Sequence, residues 1–253
     1  MKILISPAKS INENAFKSID STIPVFQKEA QKIVKNLKKL SVEEIRDLMS
    51  ISEDLAVLNY NRYKNWKKSD SENESLIQVG LAFSGEVYKG LDLASLNEDE
   101  LHYASKNLRI LSGMYGLLKP LDLIYPYRLE MGTNFSPIED QKNLYQFWKD
   151  KIAKELKKEL DKGETIVNLA SHEYFKALDT SQLKHRIITP VFKEFKNGNY
   201  SIVMMYAKHA RGAMARYLIQ NQLTNIEELK LYSIDGYSFD ANQSKDDEWV
   251  FVR

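Results

Sequence analysis

The sequence predicts an α/β fold of mixed α+β character: one compact domain over residues 1–253, with a mixed, partly antiparallel sheet flanked by helices. Three observations predict it. Short apolar runs alternate with longer segments of helical period. Several of the short runs are apolar at nearly every position, as in strands buried on both faces. An Asn-Gly pair between two strand-like runs marks an antiparallel hairpin, because that pair tolerates the positive φ angles of a tight turn. The 253 residues, 43% hydrophobic and 11% aromatic, suffice for a sizeable core, and no repeat or linker divides them.

In chain order, residues 3–5 read as a buried strand that gives way to Ser6-Pro7-Ala8-Lys9. Phe26, Ala30, Ile33, Val34 and Leu37 recur at helical spacing with lysines opposite, predicting an amphipathic helix. Ser52 is placed to cap a helix over 53–66, and the polar stretch 69–75 reads as a mobile loop. Residues 76–83 read as a strand. Asn97 followed by Glu100 is a capping-box signal for a helix running toward Asn107, and 108–111 is strand-like. Leu144, Phe147, Trp148, Ile152, Leu156 and Leu160 predict a second lysine-flanked helix. Strands follow over 165–169, 187–192 and 200–206, the last two joined by Lys196-Asn197-Gly198-Asn199, while 231–239 and 248–252 are set to pair across a polar loop.

Composition narrows the function. With 36 basic against 35 acidic residues, any surface for nucleic acid or anionic lipid has to be local. The absence of cysteine excludes disulfides, iron-sulfur clusters and thiol redox chemistry. The N-terminal apolar run is too short for a signal peptide and no segment reaches about 20 apolar residues, so the expected location is the cytoplasm, with no membrane partner. The four histidines form no metalloprotease or di-iron pattern, and there is no Walker loop, dinucleotide fingerprint or nucleophile elbow. No metal, cofactor, protein partner or catalytic residue is called, and the reading leans away from an enzyme.

Five strand ends run into small residues or a nearby cation: Ser6 to Lys9, Ser84-Gly85, Ser112-Gly113, Ala170-Ser171, and Lys208-His209-Ala210-Arg211. In open α/β sheets such loops form the ligand crevice, and small residues there expose amides to anions. Charge points the same way. Residues 195–226 contain Lys196, Lys208, Arg211 and Arg216 with no acid, and 101–121 contain Lys106, Arg109 and Lys119 with no acid. Lys208 and Arg211, at i and i+3, share a helix face and would make a phosphate clamp. The ordinary alternative is that the serines and glycines cap elements and the cations face solvent. Ser171 in particular reads as an N-cap and Glu173 as a first-turn acid. Arg128 and Glu130 read either as an ion pair or as part of the crevice. Asp235, Asp240, Asp246, Asp247 and Glu248 could offer hard oxygen ligands to iron, although a solvated acidic loop explains them better.

Gly113 and Gly116 in Leu111-Ser112-Gly113-Met114-Tyr115-Gly116-Leu117-Leu118-Lys119-Pro120-Leu121 resemble the hairpin of helix-hairpin-helix modules, where glycine amides approach a DNA phosphate. The glycines are one residue further apart than is usual there, and the upstream element looks like a strand. Taken in order, Ile5 to Lys9, Leu111 to Asp122, Pro126 to Gly132, Asn168 to Phe175 and Tyr206 to Gly212 closely resemble the peroxide stress protein YaaA family, and the resemblance runs on to Trp249-Val250-Phe251. It implies a cytoplasmic bacterial protein that limits oxidative damage by lowering available intracellular iron, and it is associated with DNA binding, double-stranded or structured. It also implies a basic cleft and a helix-hairpin-helix-like element. By matching position the DNA- or anion-binding candidates are Lys9, Arg109, Ser112, Gly113, Gly116, Lys119, Arg128, Ser171, Lys208, Arg211 and Arg216. His172 stands where the motif has a familiar aspartate, so that site receives no acid-base role. The alternative is an enzyme acting on a small phosphorylated or nucleotide-like substrate in the same cleft.

Overall fold

The computed structural model describes residues 1–14, 21–68 and 76–253; the predicted loop at 69–75 lies outside them. The chain begins with β1 (Lys2–Ile5) and β2 (Ser10–Ile11), then α1 (Gln27–Leu37), α2 (Val42–Met49) and α3 (Glu53–Asn65). Next come β3 (Ile77–Gln78), α4 (Val79–Ala82), β4 (Phe83–Ser84), α5 (Glu86–Leu91) and α6 (Glu98–Asn107). β5 (Leu108–Ser112), β6 (Gly116–Leu118), β7 (Leu123–Ile124), α7 (Leu144–Glu159), β8 (Ile166–Asn168) and α8 (His172–Phe175) follow. The chain closes with β9 (Ile187–Lys196), β10 (Asn199–Ser201), α9 (Met204–Gln220), β11 (Ser238–Phe239) and β12 (Glu248–Val252).

The fold class is as the sequence predicts. Strands β12, β9, β8, β1 and β5 run parallel in one eight-stranded sheet, with β6, β10 and β11 added antiparallel. Every residue of β1, β5 and β8 is buried, which is why apolar residues stand at consecutive positions in Ile3–Ile5, Ile110–Leu111 and Ile166–Val167. The order β8-β1-β5 matters for function. From β1 the chain crosses to β5 on one side and later returns to β8 on the other, so β1 and β8 flank a switch point whose open end lies beyond Ile5 and Asn168.

Helix ends follow local chemistry. Asn97 and Glu100 close the predicted capping box of α6, Ser41 and Glu44 close another on α2, and Ser52 caps α3. The Asn197-Gly198 turn adopts positive φ at both residues and pairs β9 with β10. Ser238–Phe239 pairs antiparallel with the start of the predicted partner's far end, Val252 and Phe251. One hydrophobic core gathers side chains from the sheet and from α1, α7 and α9. Among the described residues no helix is long and apolar enough to cross a membrane.

Four expectations need correction. Of the strand expected over 231–239 only Ser238–Phe239 forms, because the chain before it makes the short 3-10 turns Ile226–Leu231 and Ile234–Gly236. Residues 76–83 are not one strand but two short ones separated by α4. The strand expected over 200–206 stops at Ser201, and Met204, Met205 and Tyr206 form the exposed first turn of α9. The β-favouring Ile202, Val203 and Tyr206 are overruled by Ala207, Ala210 and Met214, whose helical spacing buries a face against the core. The stretch compared with a helix-hairpin-helix folds as strand, turn, strand: β5 pairs with β6, Ser112 opposite Gly116.

Candidate functional site

The carboxyl ends of β1 and β8 meet through two serines. The Ser171 amide donates to Ser6 Oγ at 2.8 Å, and Ser6 Oγ donates to Ser171 Oγ at 3.2 Å. A hydroxyl carries one donor. The Ser171 oxygen accepts from Ser6 while its own hydrogen has no partner among the described residues, leaving one half-buried O–H at the mouth of the switch point. Ser171 occupies the N-cap position of α8, but its side chain makes no capping bond. Below, the Tyr88 hydroxyl donates to the Ser6 carbonyl at 3.0 Å, and burial among Tyr127 and Tyr174 pushes the Tyr88 pKa well up, so it stays a neutral donor.

A ladder of charges rises beside the serines. Lys9 Nζ lies 2.7 Å from Glu130 Oε2, and Arg128 donates to Glu130 Oε1 at 3.0 Å. The Arg128 Nε is buried with no partner among the described residues. Glu173 accepts from the Gly132 amide at 2.9 Å. Arg128 and Glu130 therefore form the ion pair read from the sequence, with Lys9 as a third member. Two cations face two carboxylates here, so this part of the site has no excess charge of its own.

The remaining cations divide by whether the protein has already used them. α9 packs along α5 and reaches β1. Arg216 donates to the Leu91 and Asp92 carbonyls at 3.1 and 2.8 Å, closing the end of α5. Arg211, one turn earlier on α9, is half-buried; burial holds its pKa below the ordinary arginine value, and it has no ion-pair or hydrogen-bond partner among the described residues. Lys208 is exposed and equally unpartnered among them.

Other candidates are placed elsewhere. Arg109 is 4% exposed and bound by Glu159 at 2.6 Å and by the Ser105 and Leu108 carbonyls, toward the start of β5. Lys119 shares with Arg109 a pocket that also holds Asp122, Glu155 and Glu159, an acidic rather than anion-seeking surface. Ser112 is fully buried: its hydroxyl is 2.6 Å from that of Tyr127 and accepts from the Met114 and Tyr115 amides. Gly113 abuts the Leu129 carbonyl, and Gly116, at φ +69, abuts Trp148, whose indole donates to the Gly113 carbonyl at 2.9 Å. These glycines let the β5–β6 turn pack under α7.

Of the nominated residues, Lys9 and Arg128 meet at Glu130, Ser171 meets Ser6 at the strand end, and Lys208 and Arg211 lie on α9, which reaches β1. Sequence reasoning quoted Ser6 only as part of a loop; its bond to Ser171 spans 165 positions and leaves no local signal. Three of the acids over 235–248 are engaged through their carboxylates. Asp240 accepts from the Asn242 and Gln243 amides, Asp247 pairs with Arg186 and Asp235 faces His209. Among the described residues no group of three or more His, Cys, Asp or Glu is disposed to hold a metal ion.

Comparison with known proteins gives one consistent match. The family described as peroxide stress protein YaaA matches residues 1–243. A UPF0246 protein of Flavobacterium psychrophilum is 47% identical, covering 100% of both chains. A UPF0246 protein of Marinomonas sp. is 46% identical over 100% of this chain and 97% of its own, and one of Polynucleobacter necessarius is 45% identical over 100% and 98%.

Proposed function

The chain belongs to the peroxide stress protein YaaA family, and on that footing we propose that it is a cytoplasmic protein that lowers available intracellular iron and binds DNA, double-stranded or structured, through a basic cleft. A role in the peroxide stress response follows from the family. The cleft reading rests on one observation: Arg211 is half-buried and unpartnered among the described residues. Taking an unpaired charge out of water is costly, and a phosphate would supply the missing counter-charge. Lys208, on the same face at i−3, adds the second cation. Because Lys9 and Arg128 are balanced by Glu130 and Glu173, the preference for an anion depends on these two residues of α9.

Two phosphate contacts contribute about 1.8 logarithmic units of affinity per tenfold change in salt on a duplex. The Lys208→Ala/Arg211→Ala variant should therefore bind a labelled duplex more weakly and with a salt slope shallower by about that amount. An unchanged slope contradicts the reading.

A second reading is favoured by the switch point itself, where Ser171 presents its free O–H. An enzyme acting on a small phosphorylated or nucleotide-like substrate would place the phosphate there, with no residue yet holding a catalytic role. Thermal-shift measurements against nucleotides and phosphorylated metabolites test it. A true ligand at 100 times its Kd stabilises by about 2.7 kcal/mol, and the Ser171→Ala variant should lose part of that shift.

A further inference from the structure

We propose that the groove between α1 and the end of α3 is a seat for the phosphate backbone of duplex nucleic acid, separate from the strand-end crevice. This rests on the reading that the protein binds DNA, and it adds a second duplex-contacting surface outside the residues nominated from sequence. The groove encloses about 710 Å³ and is lined by Lys28, Lys32, Lys35, Lys38, Lys67 and Lys68, with no carboxylate among the described residues that line it.

Two features build it. In α1, Ala30, Ile33, Val34 and Leu37 are buried, which turns Lys28, Lys32 and Lys35 outward at i, i+4 and i+7, a stripe about 10 Å long. Beyond α3 the chain is tied to this helix by backbone contacts: Lys38 Nζ donates to the Trp66 carbonyl at 3.0 Å and Lys64 Nζ donates to the Lys38 carbonyl at 2.7 Å. Those two ammonium groups are spent on the join. They bring Lys67 and Lys68 alongside the stripe.

The other five lysines of the groove, Lys28, Lys32, Lys35, Lys67 and Lys68, are exposed and have no ion-pair or hydrogen-bond partner among the described residues. That contrasts with the arginines, most of which are bound to carboxylates: Arg62 to Glu13, Arg109 to Glu159, Arg186 to Asp247 and Arg253 to Glu194. In a chain of net charge +1, this is a strong local accumulation. Toward α7, which meets the start of α1 through the Phe26–Trp148 ring contact, the charges are mixed, Glu29 and Asp150 standing among Lys32, Lys151 and Lys154. There burial lowers the Lys151 pKa, Glu29 opposes, and Lys32 and Lys154 lower it further.

The chemistry is that of a backbone reader. Each strand of duplex DNA presents about one charge per 3.4 Å, so a 10 Å stripe faces roughly three phosphates of one strand, and Lys67 and Lys68 alongside are placed for two more. Lysine is a point charge without the fork that reads a guanine edge, and Trp66, which lines the groove, is 4% exposed and offers no open face for a base to stack on. Binding should be independent of sequence. Five contacts give a salt slope of about −4.5, or roughly a 500-fold loss of affinity between 50 and 200 mM salt.

The test uses the full chain, a fluorescent 20-base-pair duplex of arbitrary sequence, and the Lys32→Gln/Lys35→Gln/Lys67→Gln/Lys68→Gln variant. All four side chains are exposed, so the thermal midpoint should stay put. The expected result is a slope shallower by about 3.6 and an affinity at 50 mM salt lower by at least tenfold. Unchanged slope and affinity overturn the proposal, as does a wild-type chain that binds no duplex. So does a variant that keeps the duplex and loses only phosphatidylserine vesicles, which would reassign the groove to a lipid surface. The Lys208→Ala/Arg211→Ala variant is measured in parallel. Loss there alone removes the groove, and loss in the four-lysine variant alone removes the crevice as the duplex site.

Discussion

Gly212→Ala tests the packing that carries α9, and its sign decides between two effects. Gly212 lies in the middle of α9, where alanine is the better helix former by about 1 kcal/mol. A Cβ at this position would fall 1.8 Å from the Val87 carbonyl oxygen, 2.7 Å from its carbon and 2.9 Å from the Leu91 amide nitrogen. Ordinary contact begins at 3.4 Å, so α5 and α9 would have to separate by about 1.5 Å, and the obstacle is backbone that no rotamer change can relieve. Overpacking of this kind costs about 1–3 kcal/mol, and a gap of an ångström forfeits up to half of the dispersion along the rest of the interface. The net expectation is a loss of about 2 kcal/mol, which for a chain of this size lowers Tm by about 4–8 °C. Circular-dichroism melting and urea unfolding measure it. Since α9 also carries Lys208 and Arg211, duplex affinity should fall as well. A Tm that rises, as helix propensity alone requires, refutes the packing argument.

Other perturbations separate structural from ligand-facing groups. Arg109→Met strands the Glu159 carboxylate and two carbonyls, and should cost about 3 kcal/mol in urea unfolding while leaving the duplex salt slope unchanged. Asn97→Ala removes one half of the α6 capping box and should cost about 1 kcal/mol by the same measurement. Burial raises the pKa of the Asp122 carboxyl, only partly opposed by the bonds from Thr22 and the Lys119 amide. Its folded pKa therefore exceeds its unfolded one, so its contribution to stability is complete below about pH 3.9 and is lost as pH rises through the folded value. Asp122→Asn should remove that step, and the urea-midpoint difference between variant and wild type should grow from pH 4 toward neutrality; a constant difference contradicts the assignment.

What the sequence revealed, and what it hid, follows from the range of each interaction. The α6 capping box, the apolar faces of α1 and α7, the Asn197-Gly198 turn and the buried runs of β1, β5 and β8 are all written within a few residues, and each was legible. The start of α9 was not. Tyr200 to Tyr206 look like a strand until Ala207, Ala210 and Met214 are seen to share a buried face. The candidate site divides in the same way. Loops at strand ends were recognisable, but which cations remain available depends on partners far along the chain: Arg109 is taken by Glu159, Arg216 by the end of α5, and Arg128 and Lys9 by Glu130. Lys28, Lys32 and Lys35 read as a solvated helix face for the opposite reason, because nothing local says that Lys67 and Lys68 complete a groove beside them.

The central claim is that Arg211 is held for an anion the protein does not itself supply. A crystal structure of the full chain grown with tungstate, a phosphate analogue dense enough to locate without ambiguity, tests it most directly. The expected result is an anion within hydrogen-bond reach of the Arg211 guanidinium, with Lys208 or the Ser171 hydroxyl as a further donor. An Arg211 bound instead to a carboxylate or carbonyl of its own chain, with no anion beside it, would contradict the claim.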